Sequence, residues 1–134
     1  MVGIVVAAHG RLAEELLRTA EGVVGPVPQA QALSIGGGVE GGSAALRAAI
    51  AAVEQGDGVV LLTDLLGGSP TNLCLQVLKE REVEVVTGVN LPMLLKLGSL
   101  RASGARPAEL ARQLAVAGQK SIVDATDLFR ALKP

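Results

Sequence analysis

The sequence predicts an α/β fold with a doubly wound, mainly parallel sheet in the flavodoxin-like strand order 2-1-3-4. Three observations carry that expectation. Val2-Gly3-Ile4-Val5-Val6-Ala7-Ala8 is an unbroken small or apolar run rich in β-branched residues, as a strand covered on both faces requires. Val59-Val60-Leu61-Leu62-Thr63 is a second run of the same kind. Segments of strand and helix character alternate four times across short connections, which calls for right-handed crossovers in a parallel sheet.

The elements follow in order. The first strand ends at His9-Gly10, after which Leu12, Leu16, Leu17, Ala20 and Val24 fall on one side of a helix from Leu12 to Val24. Gly25-Pro26-Val27-Pro28 forbids its continuation. Ala30–Ile35 is a weaker second strand, and the glycine-rich Gly36–Gly42 segment is a loop. Ser43 opens a helix to Val53 with Leu46, Ile50 and Val53 inward, closed by Gln55-Gly56-Asp57-Gly58. The third strand, Val59–Thr63, runs into Asp64-Leu65-Leu66-Gly67-Gly68. Ser69 then reads as an N-cap and Pro70 as the first position of a helix to Arg81. Glu82–Thr87 is the fourth strand, and a helix capped by Asn90 and Pro92 follows to Ala102. The next helix is expected over Pro107–Val116 with Gly118 ending it, then a short edge strand at Ser121–Asp124 and an unassigned tail. Nothing in the pattern marks a repeat or linker, so residues 1–134 are expected to form a single domain.

Composition narrows the function. Of 134 residues, 49% are hydrophobic, yet there is one Phe and no Trp or Tyr, so the core is aliphatic and base-stacking platforms are lacking. A net charge of -1 offers no basic field for nucleic acid or anionic membranes. The lone Cys74 makes neither an internal disulfide nor a cysteine metal site. No basic region with a cleavage site opens the chain, and no apolar stretch approaches the ~20 residues of a membrane span. A cytoplasmic protein that needs no metal and no diffusible cofactor is expected.

The chemistry concentrates where strands one and three end. His9, the only histidine, closes the first strand, and Asp64 follows the third. In the flavodoxin-like order these strands are neighbours flanking the switch point, where ligands collect. A carboxylate bonded to one imidazole N–H fixes the tautomer and stabilises the positive charge that develops when the other nitrogen reacts. The glycine turn Gly67-Gly68 feeds the helix start at Ser69, where free backbone N–H groups and a hydroxyl suit phosphoryl oxygens. Histidine, orienting acid and anion cradle together describe a phosphohistidine carrier.

These residues also carry a family resemblance. Val2–Leu17 with Ala8-His9-Gly10 at the strand end, Asp64–Asn72, and Thr87-Gly88-Val89-Asn90-Leu91-Pro92-Met93-Leu94 resemble the three signatures of a bacterial family. It is the mannose/fructose-type enzyme IIA family of the phosphoenolpyruvate-dependent sugar phosphotransferase system. The resemblance covers nearly the whole chain. It implies that His9 accepts a phosphoryl group from the histidine phosphocarrier protein and passes it to an enzyme IIB partner. Asp64 would orient His9, and Ser69, with Gly10, Gly67 and Gly68 around it, would contact the phosphoryl group. It further implies a homodimer in which a C-terminal strand, here near Ile122-Val123, joins the partner's sheet. This chain departs from the pattern in having Ala8, without a hydroxyl, before the histidine, and in its unusually glycine-rich loop at Gly36–Gly42.

Three other readings stand beside transport. A freestanding member of such a family can act as a regulatory phosphorylation sensor. A receiver-type switch phosphorylated on Asp64 would need an acidic cluster for Mg²⁺ at the end of strand one, where this chain has Ala7-Ala8-His9. A histidine phosphatase would want a second histidine or clustered arginines. Arg11, Asn90, Cys74, Glu14 and Glu15 read as surface, cap, core and helix-start residues, in that order.

Overall fold

The computed structural model describes residues 1–35, 42–67, 69–79 and 83–132. The elements are β1 (Gly3–His9), α1 (Leu12–Val24), β2 (Ala30–Ile35), α2 (Gly42–Val53), β3 (Val59–Thr63), α3 (Ser69–Leu78), β4 (Val83–Thr87), α4 (Leu91–Ala102), α5 (Pro107–Lys120) and α6 (Ala125–Ala131). The four strands are parallel and ordered β2-β1-β3-β4. The expected flavodoxin-like sheet is present, and β1 and β3 lie side by side in register from Gly3↔Val59 to Ala7↔Thr63.

Strand alternation sends side chains to opposite faces, and each face has its own core. Ile4, Val6, Ala8, Val60 and Leu62 pack with Ala13, Ala20, Met93, Leu94, Leu97, Leu110 and Leu114 of α1, α4 and α5. Val5, Ala7, Val59 and Leu61 pack with Leu46, Ile50, Leu73, Cys74 and Val77 of α2 and α3. Burying both faces is why β1 and β3 read as unbroken apolar runs rather than alternating ones. In α1 the inward stripe is Ala13, Leu17 and Ala20. Leu12 and Val24, expected on it, are the first and last residues of the helix and are exposed.

Arg101 ties the open end of this layer together. Its guanidinium donates to Val2 O at 3.0 Å and to Pro28 O at 2.7 Å, joining α4 to the starts of β1 and β2. Burial lowers its pKa from the usual arginine value by disfavouring the charged form.

Several boundaries differ from the sequence expectation: α2 already begins at Gly42, ahead of Ser43, and α3 ends at Leu78 rather than Arg81. The helix α5 does not stop before Gly118 but runs through it to Lys120. Gly118 is a packing residue: a Cβ there would lie 2.7 Å from Met93 Sδ, so a larger residue would require the Met93 side chain to shift. The expected C-terminal edge strand at Ser121–Asp124 is not a strand. Ile122 and Val123 are exposed, and among the described residues no strand pairs with them. The unassigned tail is the helix α6, whose N-cap Asp124 accepts from Asp127 N at 3.1 Å. The Gly36–Gly41 part of the glycine-rich loop and residue Gly68 lie outside the described residues.

Candidate functional site

The site forms where β1 and β3 hand over to their helices. His9 is the last residue of β1 and Asp64 the first after β3, 55 positions apart in sequence. Parallel pairing of the two strands places the residues side by side. One carboxylate oxygen, Asp64 Oδ2, accepts from the His9 backbone N–H at 3.0 Å and lies 2.7 Å from His9 Nδ1. The other, Oδ1, accepts from Leu65 N–H at 3.0 Å. The environments of the two side chains differ: Asp64 is 9% exposed and the imidazole 48% exposed.

The electrostatics follow from that asymmetry. Burial pushes the Asp64 carboxyl upward. The hydrogen bonds from the His9 backbone and ring and from Leu65 N–H outweigh it, and hold the group below the ordinary carboxylate value. An ionised carboxylate can only accept, so Nδ1 carries the proton and donates it to Oδ2. In the neutral ring the lone pair is then on Nε2, the nitrogen turned away from Asp64. This pair can therefore present one nucleophilic nitrogen to a reagent from outside and stabilise the charge left on the ring.

Both flanking turns are held open by glycine. Gly10 has φ +55° and Gly67 φ +86°, in the left-handed region that other residues adopt at a cost. Ser34 on β2, in register with Ala8, donates its hydroxyl to Gly10 O and anchors the β1–α1 turn. Ser69, expected as an N-cap, is instead the first residue of α3, which puts its backbone N–H in the first turn, where no carbonyl of the helix itself can accept it. Ala8 is fully buried, so the position before the histidine belongs to the core.

Several residues considered from the sequence stand apart from this centre. Arg11 is exposed and paired with Glu14 and Glu15, each at 3.8 Å. Asn90 caps α4 by accepting from Met93 N at 3.2 Å, and its amide donates to Gly118 O and Ser121 Oγ at 3.3 Å. Cys74 is in the core. Among the described residues, no three His, Cys, Asp or Glu side chains gather to hold a metal ion.

Sequence reasoning missed two features. Thr63 and Thr71 are both fully buried and hydrogen-bonded to each other at 2.6 Å beneath the Asp64 loop. The one available signal was a threonine ending an otherwise aliphatic strand. Leu12, Leu65 and Leu66, in the segments that carry the pair, are exposed at 45%, 50% and 74%. In sequence, each lies within three residues of His9 or Asp64. No helix among the described residues is long and apolar enough to cross a membrane.

Comparison with known proteins gives consistent matches. The family described as PTS system fructose IIA component matches residues 3–114. The mannose-specific EIIAB component of the phosphotransferase system from Escherichia coli (strain K12) is 35% identical over 98 residues, covering 71% of this chain and 30% of that protein. This chain thus spans about a third of the length of that relative. Among solved structures, the mannose/sorbose specific IIA subunit of the phosphotransferase system from Enterococcus faecalis superimposes with a TM-score of 0.80 at 28% identity. The match covers 91% of this chain and 92% of that one. The phosphotransferase system component EIIA from Streptococcus agalactiae shares the fold with a TM-score of 0.85 at 24% identity, over 95% and 99% of the two chains.

Proposed function

The chain belongs to the fructose/mannose IIA family of the sugar phosphotransferase system, and from that premise we propose that it is a phosphohistidine carrier working through His9. The single observation that carries the proposal is the 2.7 Å contact between His9 Nδ1 and Asp64 Oδ2 beneath a half-exposed ring. The lone pair of Nε2 attacks the phosphorus of a phosphorylated donor protein. As the new N–P bond forms, the bond to the donor's nitrogen breaks and its electron pair leaves with the donor. The Nδ1 proton stays in place, and the charge that develops on the ring is met by Asp64. In the second transfer the same steps run outward to an acceptor.

The phosphoryl oxygens are proposed to rest on Ser69 and on the backbone of Gly10, Gly67 and Gly68. The left-handed Gly67 before the first turn of α3 supports this, because helix starts present unpaired N–H donors to anions. The donor is proposed to be the histidine phosphocarrier protein and the acceptor an enzyme IIB component of a sugar-uptake system. The exposed Leu12, Leu65 and Leu66 support protein partners rather than a small substrate. We propose residues 1–134 as one domain, acting in the cytoplasm without a metal or diffusible cofactor. Homodimer formation through the C-terminal segment is part of the same reading. Its support is the exposure of Ile122, Val123, Leu128, Phe129 and Leu132, which a monomer leaves in water.

The test is transfer of radioactive phosphate from phosphoenolpyruvate through the general phosphotransferase proteins to wild-type protein and to His9→Ala. Labelling confined to the wild type is the expected result. Undiminished labelling of His9→Ala overturns the assignment.

A further inference from the structure

We infer that Thr71, with Thr63, is a positioning residue that holds the Asp64 carboxylate, and through it the imidazole, in register for transfer. The inference rests on the carrier reading of this site. The Thr71 hydroxyl donates to Leu65 O. Each hydroxyl has one proton, so in the 2.6 Å contact between the two threonines it is Thr63 that donates and Thr71 that accepts. The result is a directional relay running from Thr63 Oγ1 to Thr71 Oγ1 to Leu65 O.

Its position gives it leverage. Thr63 ends β3 and Thr71 stands in the first turn of α3, so the relay closes the loop that carries Asp64 and Gly67. Leu65 is gripped on both sides. Its carbonyl is held by Thr71, while its N–H donates to Asp64 Oδ1 at 3.0 Å. The Thr63 backbone carbonyl is also occupied, accepting from Val89 N at 2.9 Å, which ties the end of β3 to the loop before α4. Both threonine side chains are fully buried, so neither can touch a phosphoryl group or a partner. What they can do is fix where Leu65 points its N–H, and thereby the rotation of the Asp64 carboxylate that faces His9 Nδ1. Threonine suits the task at both positions, because its hydroxyl makes the bond and its methyl fills the aliphatic layer.

The test compares wild type, Thr71→Val, Thr71→Ser and the double variant Thr63→Val/Thr71→Val. The readouts are ¹⁵N shifts of the His9 ring near pH 8, the maximal rate of phosphoryl uptake from the phosphocarrier protein, and urea stability. Thr71→Val is expected to mix the Nε2–H tautomer into the spectrum and to slow maximal transfer by about 10-fold or more, as loss of a ligand-orienting partner typically does. Half-saturation by the donor should stay unchanged, and Thr71→Ser should restore both properties. The double variant removes both buried hydroxyls and so regains stability relative to Thr71→Val. It should nevertheless keep the tautomer and rate defects, which separates positioning from packing. Should Thr71→Val fail to fold, the double variant alone decides. A wild-type tautomer and rate in Thr71→Val or the double variant, or a Thr71→Ser as impaired as Thr71→Val, overturns the inference. If the wild type takes up no phosphoryl group, the carrier reading fails, while the ring shifts still judge the positioning role.

Discussion

Asp64 grips His9 twice with a single oxygen: Oδ2 takes the backbone N–H at 3.0 Å and faces ring Nδ1 at 2.7 Å. The backbone bond fixes the carboxylate relative to the strand end, and the ring bond fixes the imidazole relative to the carboxylate. Phosphoryl chemistry is thereby directed to one nitrogen.

Replacing Asp64 by Asn removes the charge but keeps an oxygen that can still accept from His9 N–H. The fold is therefore expected to survive while the preference for the Nδ1–H tautomer is lost. In a hydrolase triad the corresponding change costs up to ~10⁴ in rate. Rapid-quench measurement of phosphoryl uptake by Asp64→Asn should show a loss in that direction with an unchanged circular dichroism spectrum. Uptake at the wild-type rate would remove Asp64 from the mechanism.

The same carboxylate makes stability pH-dependent in a defined sense. Its folded-state value lies below the ordinary one, because the bonds from His9 and Leu65 outweigh burial. The unfolded chain then binds the proton first as pH falls. The stabilisation is complete above about pH 4 and is lost as pH falls through the lower folded value. Urea titrations of wild type and Asp64→Asn are expected to show a stability gap at pH 6 that narrows below pH 4. A gap that widens with acid would mean the shift has the opposite sign.

Arg101 is expected to matter far from the site. With its two donors to Val2 O and Pro28 O gone, Arg101→Met leaves two backbone carbonyls unsatisfied at about 1–3 kcal/mol each. Equilibrium unfolding should therefore show a loss of roughly 2–5 kcal/mol, offset in part by relief of the buried charge. A variant as stable as wild type would show that the two carbonyls find water instead.

Cys74 should be inert in the native protein. It is fully buried, and loss of hydration pushes its thiol up to about 12. A thiolate reagent at pH 8 is expected to label no cysteine in the folded chain and one after unfolding in urea. Rapid native labelling would indicate that α3 opens readily.

Much of this was legible in the sequence, for identifiable reasons. The runs Val2–Ala8 and Val59–Thr63 announce strands buried on both faces, and that burial forces the adjacency of β1 and β3 which brings His9 to Asp64. The Asn90 cap was legible too, because its acceptor and donor, Asn90 and Met93, lie only three positions apart. The Thr63–Thr71 relay was not, since hydroxyl pairing depends on how the intervening turn folds back. Nor was the role of Arg101, whose bond to Val2 O joins residues 99 positions apart. Gly118 reads as a helix stop until Met93 is seen packed over it. The segment Ser121–Asp124 has strand-like composition but no partner strand among the described residues, and a strand exists only through pairing.

The account stands most directly on which atom takes the phosphoryl group. Protein labelled with ¹⁵N-histidine and phosphorylated through phosphoenolpyruvate and the general phosphotransferase proteins can be read by ¹⁵N and ³¹P NMR. Phosphorus coupled to Nε2 of His9, with Nδ1 still protonated, is the predicted result. Phosphorus on Nδ1, or a hydroxylamine-labile phosphate on Asp64, would contradict it.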